Sequence, residues 1–223
     1  MAFSPDTLDF LFINKMNDNR DFFNENRDEY DSKVMTPMRE LVTALTPAML
    51  EIDELFICEP KVNKTISRIF RDTRYSKDKS TFRDVMWCHF TRGKADGKKL
   101  PGFFFELSPR GFNYGCGLYC MEADFLDSIK TLVKNQHPAF LKAKKCLEKQ
   151  SIFRLEDDRY KRTKHKDYPE DMRMWLDQKN ICVMAHSEDF DMLFSDELYM
   201  KLSDEFKSIK PFYDFLMYAY SAK

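Results

Sequence analysis

Residues 102–119 read GFFFELSPRGFNYGCGLY, and the alternation in this stretch decides the fold. Gly102 to Ser108 and Phe112 to Tyr119 carry the aromatic-rich, period-two pattern of β-strands, and Pro109-Arg110-Gly111 between them has turn composition. An antiparallel hairpin follows. The same spacing puts Gly115 and Gly117 on one face beside Asn113 and Tyr119, where missing side chains let a helix, another backbone or a ligand come close.

Working upstream, Phe82 to Phe90 alternates Val85, Trp87 and His89 against Met86, Cys88 and Phe90, as a strand sheltered on both faces does. Thr65 to Arg71 is β-branched and aromatic enough for a further strand, although Arg68 and Arg71 at i, i+3 would share one face of a helix equally well. Tyr75 to Ser80 is polar loop, and Gly93 to Gly97 turns the chain. Before the sheet region, Ser4-Pro5 opens a short helix that Asn17-Asp18-Asn19 ends. Phe23, Tyr30, Val34, Met38, Leu41 and Leu45 then keep helical spacing over a long second segment, in which Pro37 marks a kink or a fresh start.

Downstream, Glu122 to Asn135 is an amphipathic helix, Pro138 begins another that ends near Lys149, and Arg159 to Tyr168 is basic loop. A short helix covers Pro169 to about Gln178, and Ile181 to Ala185 reads as a late buried strand. Ser195 caps a further helix, and Pro211 opens the last. The expected class is α+β: an antiparallel or mixed sheet built from the central strands and one late strand, packed with N-terminal and C-terminal helices. A single domain over 1–223 is expected, with helices at about 5–49, a sheet-rich part at about 61–120, and helices at about 122–149 and 169–221 around the strand near 181–185.

Composition agrees with a folded chain: 223 residues, 43% apolar, with 21 Phe and 10 Tyr. Neither a secretory n-region nor a run of roughly 18 apolar residues is visible, so the expected setting is cytoplasmic, with no membrane contact. The six cysteines form no CxxC pair, and no histidine stands at ligand spacing from Cys116 and Cys120, so free thiols and neither metal nor cofactor are expected.

A net charge of −1 conceals segregation. Residues 1–59 hold 13 acids against 5 bases, whereas Lys64 to Arg83 holds 7 bases against Asp72 and Asp78 alone. A second block, Arg159 to Lys166, has five bases plus His165 and no acid. Such asymmetry speaks about partners, not about fold.

No nucleophile elbow, P-loop, dinucleotide fingerprint or HExxH is present, so no reaction class can be read off. Residues 67–79, SRIFRDTRYSKDK, interleave guanidinium groups with aromatics and small polar residues. Planar paired donors match carboxylate or phosphate oxygens, and lysine adds a mobile charge. The expected anion-binding residues are Arg68, Arg71, Arg74, Ser76, Lys77 and Lys79, with Asp72, His89, Gly115, Gly117 and Tyr119 lining the same pocket. Two other readings stay open: ion pairing of these arginines with Asp72, Asp78 and the acids of residues 18–31 as a purely structural network, and a module docking an acidic protein or nucleic acid. A sequence pI near 6.4 lacks the basic excess of a dedicated nucleic-acid binder.

Several of these segments resemble a known family, the uncharacterised bacterial and fungal family called domain of unknown function 2461. The likeness is carried by Asn19-Arg20-Asp21-Phe22-Phe23 with Asn26-Arg27 and Tyr30; by Arg68-Ile69-Phe70-Arg71-Asp72 with Arg74 and Ser76-Lys77-Asp78-Lys79; and by Pro101-Gly102-Phe103-Phe104. It continues through Gly115 with Gly117-Leu118-Tyr119 and Lys210-Pro211 with Asp214-Phe215-Leu216. Where the family tends to continue Thr-Pro-Tyr-Lys, this chain has Ser80-Thr81-Phe82-Arg83. Downstream it has Asp167-Tyr168 after Lys161-Arg162, without the family's glycine. The resemblance implies a compact α+β fold in a cytoplasmic setting and brings no activity, cofactor or catalytic residue with it.

Overall fold

The structure is a computed structural model that describes residues 3–74, 77–95 and 98–222. Helix α1 (Pro5–Asn17) starts after Ser4 and stops at Asp18, whose φ of 45° ends the turn. The long second segment is divided. It comprises α2 (Arg20–Glu25), α3 (Arg27–Tyr30), a π-helical turn (Asp31–Met35) and α4 (Thr36–Ile52).

Pro37 accounts for the seam. It has no N–H to give to the Lys33 carbonyl four residues back, so a helix that continued unchanged would leave that oxygen unserved. Thr7 of α1 serves it: the fully buried Thr7 hydroxyl donates to Lys33 O at 2.7 Å. One proline thereby ties two helices together.

The strands are β1 (Met86–Thr91), β2 (Lys94–Ala95), β3 (Lys98–Lys99), β4 (Gly102–Ser108), β5 (Gly111–Gly117), β6 (Arg154–Leu155) and β7 (Cys182–Ser187). Five form one sheet in the order β1-β4-β5-β7-β6, and β2 pairs with β3. The expected hairpin is β4 and β5, turning at Gly111 with φ 127°, a value that only glycine adopts without strain. Strand β5 runs antiparallel to β7, with Gly111 beside Ser187 and Gly117 beside Cys182. The late strand thus joins the sheet next to the hairpin, which confirms the α+β expectation.

Two strand expectations change. Thr65 to Arg71 forms no strand and makes isolated bridges, Ile66 with Val62 and Cys88 and Phe70 with Phe82, because the chain turns at Thr65 and bends at Ile69. Phe82 to Phe90 shortens to β1, and only Met86, Cys88 and Phe90 are fully buried, so the strand is sheltered on one face. Of the expected turn at Gly93 to Gly97, its last two residues lie outside the described ones.

The remaining helices are α5 (Ala123–Lys134), α6 (Pro138–Glu148), α7 (Glu170–Leu176), α8 (Phe190–Leu193), α9 (Leu198–Ser208) and α10 (Lys210–Ser221). The chain divides into two compact units. The first comprises residues 1–90, 104–114 and 186–204, and the second 91–103, 115–185 and 205–223. In the first, Val34, Met38, Leu41 and Leu45 are buried, and Phe3 stacks on Phe105 of β4 at 5.9 Å. In the second, Phe103 packs on Phe206 and Tyr213, while Phe140, Trp175 and Phe215 form another aromatic group. No helix among the described residues is long and apolar enough to cross a membrane.

Thr7→Val is expected to cost about 1–3 kcal/mol, the penalty of removing the donor that the Lys33 carbonyl takes from a buried hydroxyl. In a Pro37→Ala background the cost shrinks, because the alanine backbone supplies the missing N–H. Urea unfolding of the double-mutant cycle measures this coupling, and an unchanged Thr7→Val cost would refute the explanation.

Candidate functional site

Arginines 71 and 83 come together through backbone pairing in the first unit. The Arg71 N–H donates to Thr81 O at 2.8 Å and the Arg83 N–H to Ile69 O at 2.9 Å, so residues 69–71 lie beside 81–83. Beneath them the Phe70 and Phe82 rings pack 5.0 Å apart, and both touch Phe23 of α2. The Asp18 carboxylate, at the end of α1, accepts the Thr81 and Phe82 N–H groups at 2.8 and 2.9 Å. The loop's return path is therefore fixed by charge-assisted bonds.

The cations differ in how well they are served. Arg74 grips Asp72 with two nitrogens, Nε at 3.0 Å and Nη2 at 2.7 Å, and is largely in solvent. Those bonds hold the Asp72 carboxyl well below the usual carboxylate range. Lys79 donates to the Thr73 carbonyl at 2.7 Å, Lys77 is exposed, and Ser76 lies outside the described residues.

Arg71 is half served: Nη2 meets Asp78 at 3.1 Å, while its Nε is buried without a hydrogen-bond partner among the described residues. Asp78 is shared. It accepts the Ser80 N–H at 2.9 Å and faces Lys15 of α1 at 3.5 Å. The Ser80 hydrogen bonds, followed by the fields of Arg71 and Lys15, lower its pKa to about 2.

Arg68 is exposed and Arg83 half-buried, and among the described residues neither makes an ion pair. The Arg83 guanidinium lies over the Trp87 ring, 4.6 Å from its centroid. Its burial, and then the like charges of Arg71 and Arg68, push its pKa down. Sequence reasoning counted Arg83 among the bases but not in the site, and missed Lys15 because its partners lie more than 60 residues away. Three of the six acids of residues 18–31 are occupied elsewhere: Glu29 pairs with Lys33, Asp31 with Arg39, and Asp18 with backbone.

His89 is half-buried on β1, two residues along from Trp87 and so on the same face. That less-buried face also carries Glu106 on β4 and Asn113 on β5. Asn113 Nδ2 donates to Glu106 Oε1 at 3.1 Å, and its Oδ1 lies 2.8 Å from His186 Nδ1. Because the amide nitrogen is committed to Glu106, the imidazole Nδ1 is the donor to Oδ1. The hairpin pattern alone could have paired Glu106 with Asn113, but His186, on β7, comes 73 residues later.

Gly115, Gly117 and Tyr119 fall in the second unit. A Cβ built on Gly115 would stand 2.0 Å from the Val183 carbonyl oxygen, and one on Gly117 would stand 2.6 Å from Cys182 Cα. These glycines admit the backbone of β7, a role that needs neither helix nor ligand. Tyr119 is exposed. The six cysteines are free, and no cluster of metal-ligating side chains occurs among the described residues.

A family model described as conserved hypothetical protein (DUF2461) matches residues 6–215. The chain belongs to the DUF2461 family. Its residues 68–79 and 102–119 both fall inside the match. No curated protein and no solved structure matches the chain.

Gly115→Ala is expected to destabilise by about 3 kcal/mol or more, because the obstacle is strand backbone that cannot swing aside. Thermal unfolding against wild type checks it. Asp78 makes a separate prediction. A carboxyl whose folded pKa lies near 2, against an ordinary 3.8, gives stability that is complete above about pH 4 and is lost as pH falls toward 2. Asp78→Asn should therefore flatten the decline in stability between pH 4 and 2, measured by urea titration at each pH, whereas an equally steep decline would contradict the assignment.

Proposed function

We propose that this protein binds a small phosphorylated or carboxylated molecule at the guanidinium cluster of Arg68, Arg71 and Arg83, with Lys15 at its edge. One observation carries the reading: three guanidinium groups lie within each other's field, Asp78 pairs with Arg71 alone among them, and the buried Arg71 Nε has no partner among the described residues. Like charges held together with spare donors are stabilised by an anion that accepts from several at once. Trp87 supplies a flat, half-buried surface beneath Arg83 against which the body of such a ligand can lie.

The proposal narrows the expected set of residues. Arg74 and Lys79 are engaged by Asp72 and Thr73, so Arg68, Arg71 and Arg83 take the leading role. Any chemistry at this place would be electrostatic, stabilising charge on an oxyanion or phosphoryl group, with His89 on the neighbouring strand as the nearby group able to carry a proton.

Calorimetric titration with inorganic phosphate and with citrate tests the reading. Arg71→Ala and Arg83→Ala should each weaken binding about tenfold or more, the scale of one charge-assisted hydrogen bond lost. Asp78→Asn should tighten it, since it releases Arg71 and Lys15 from their internal counter-ion. Affinities unmoved by all three substitutions would overturn the proposal.

A further inference from the structure

The sheet of the first unit has one sealed face and one that meets solvent. Trp87 and His89 on β1, Glu106 on β4 and Asn113 on β5 each keep part of their surface in water, whereas their inward neighbours Cys88 and Phe105 are fully buried. The Phe105 backbone hydrogen-bonds the Cys88 thiol, so Glu106 stands alongside the stretch from Trp87 to His89 on the next strand.

Glu106 is held, and yet it has an oxygen to spare. Asn113 Nδ2 donates to Glu106 Oε1 at 3.1 Å, and Asn113 Oδ1 accepts from His186 Nδ1 at 2.8 Å. An amide engaged at both ends cannot turn over without losing two bonds, so the carboxylate keeps its place. Glu106 Oε2 has no hydrogen-bond partner among the described residues. Arg110 is bound to Asp84 at 2.7 Å, and its pKa is raised first by that bond and then by the fields of Asp84 and Glu106. The Glu106 carboxylate therefore already has a cation in its field, and what its second oxygen lacks is a donor. A hydroxyl supplies one without bringing in another charge.

Across from it, the Arg83 guanidinium lies 4.6 Å from the Trp87 ring centroid. With neighbouring strands about 4.8 Å apart, the distance from this cation to Glu106 is on the order of 10 Å. A phosphoryl group on the guanidinium cluster then leaves room for one small ring before the carboxylate, with Trp87 as the flat surface between them. A second acidic group at that end would meet Glu106 with like charge. The face suits a molecule that is anionic at one end and rich in hydroxyl donors at the other, which is the makeup of a phosphorylated monosaccharide.

We propose, building on the anion site at the guanidinium cluster, that its ligand is a phosphorylated monosaccharide whose hydroxyls donate to Glu106, held by Asn113, on the solvent-facing side of the sheet. The phosphoryl group supplies affinity through Arg71 and Arg83. Glu106 selects a hydroxylated body over an apolar or acidic one.

Calorimetric titration of the full chain with inorganic phosphate, glucose 6-phosphate, ribose 5-phosphate and phenyl phosphate tests this. At least one of the two sugar phosphates should bind about tenfold or more tighter than inorganic phosphate, the scale of a hydrogen bond to a charged group. Glu106→Ala should remove that margin without weakening inorganic phosphate or phenyl phosphate, which has no hydroxyl to donate. Glu106→Gln, which keeps the shape of the side chain, should show a smaller loss in the same direction and decides alone if the alanine variant does not fold. Should inorganic phosphate bind while neither sugar phosphate gains on it, or should the gain survive the Glu106 substitutions, the sugar assignment is overturned and the anion site stands. Binding of neither phosphate nor sugar phosphate overturns both.

Discussion

A hydrogen bond from the Thr7 hydroxyl to the Lys33 carbonyl holds α1 against the helical run that follows it. It exists because Pro37 withholds the donor that a regular helix would provide. With Thr7 fixed, α1 is held along its first turn, and its far end delivers Asp18 to the amides of Thr81 and Phe82. Those amides belong to the segment that pairs with residues 69–71, so the placement of Arg71 beside Arg83 descends from a proline more than thirty residues earlier. Lys15, one turn before Asp18, reaches Asp78 and Ser80 by the same route.

Charge segregation along the chain survives folding in this unit. The acids of residues 18–31 are numerous enough to neutralise the arginines, yet Glu29 and Asp31 are consumed by Lys33 and Arg39 within the helical run. Asp18 meets backbone instead of guanidinium. Neighbours in a helix reach each other without ordering any loop, so local pairs form first and the basic loop keeps its excess.

Elements whose pattern is local were readable in advance. The hairpin of residues 102–117 announced itself through alternation around a turn, and α5 through an apolar stripe. What depended on distant partners was not readable. Thr65 to Arg71 has strand composition but finds only single bridges, because what it pairs with changes along its length. Gly115 and Gly117 were correctly read as sites of close approach, while the identity of the approaching element, β7, lay some 65 residues away. In the candidate site, the arginine block was visible by composition. The division between Arg74, already satisfied, and Arg83, not satisfied, required knowing which carboxylate reached which guanidinium.

The widened turn at residues 31–35 bears on how this stretch can vary. Each residue of a helix advances the azimuth by about 100°, so shortening the turn by one position would rotate everything after it by more than a quarter revolution. Met38, Leu41, Leu45 and Met49 would swing out of the interior together. Length in that turn is thus locked to the phase of the whole following helix, and a viable deletion there must be accompanied by a compensating insertion before Met38.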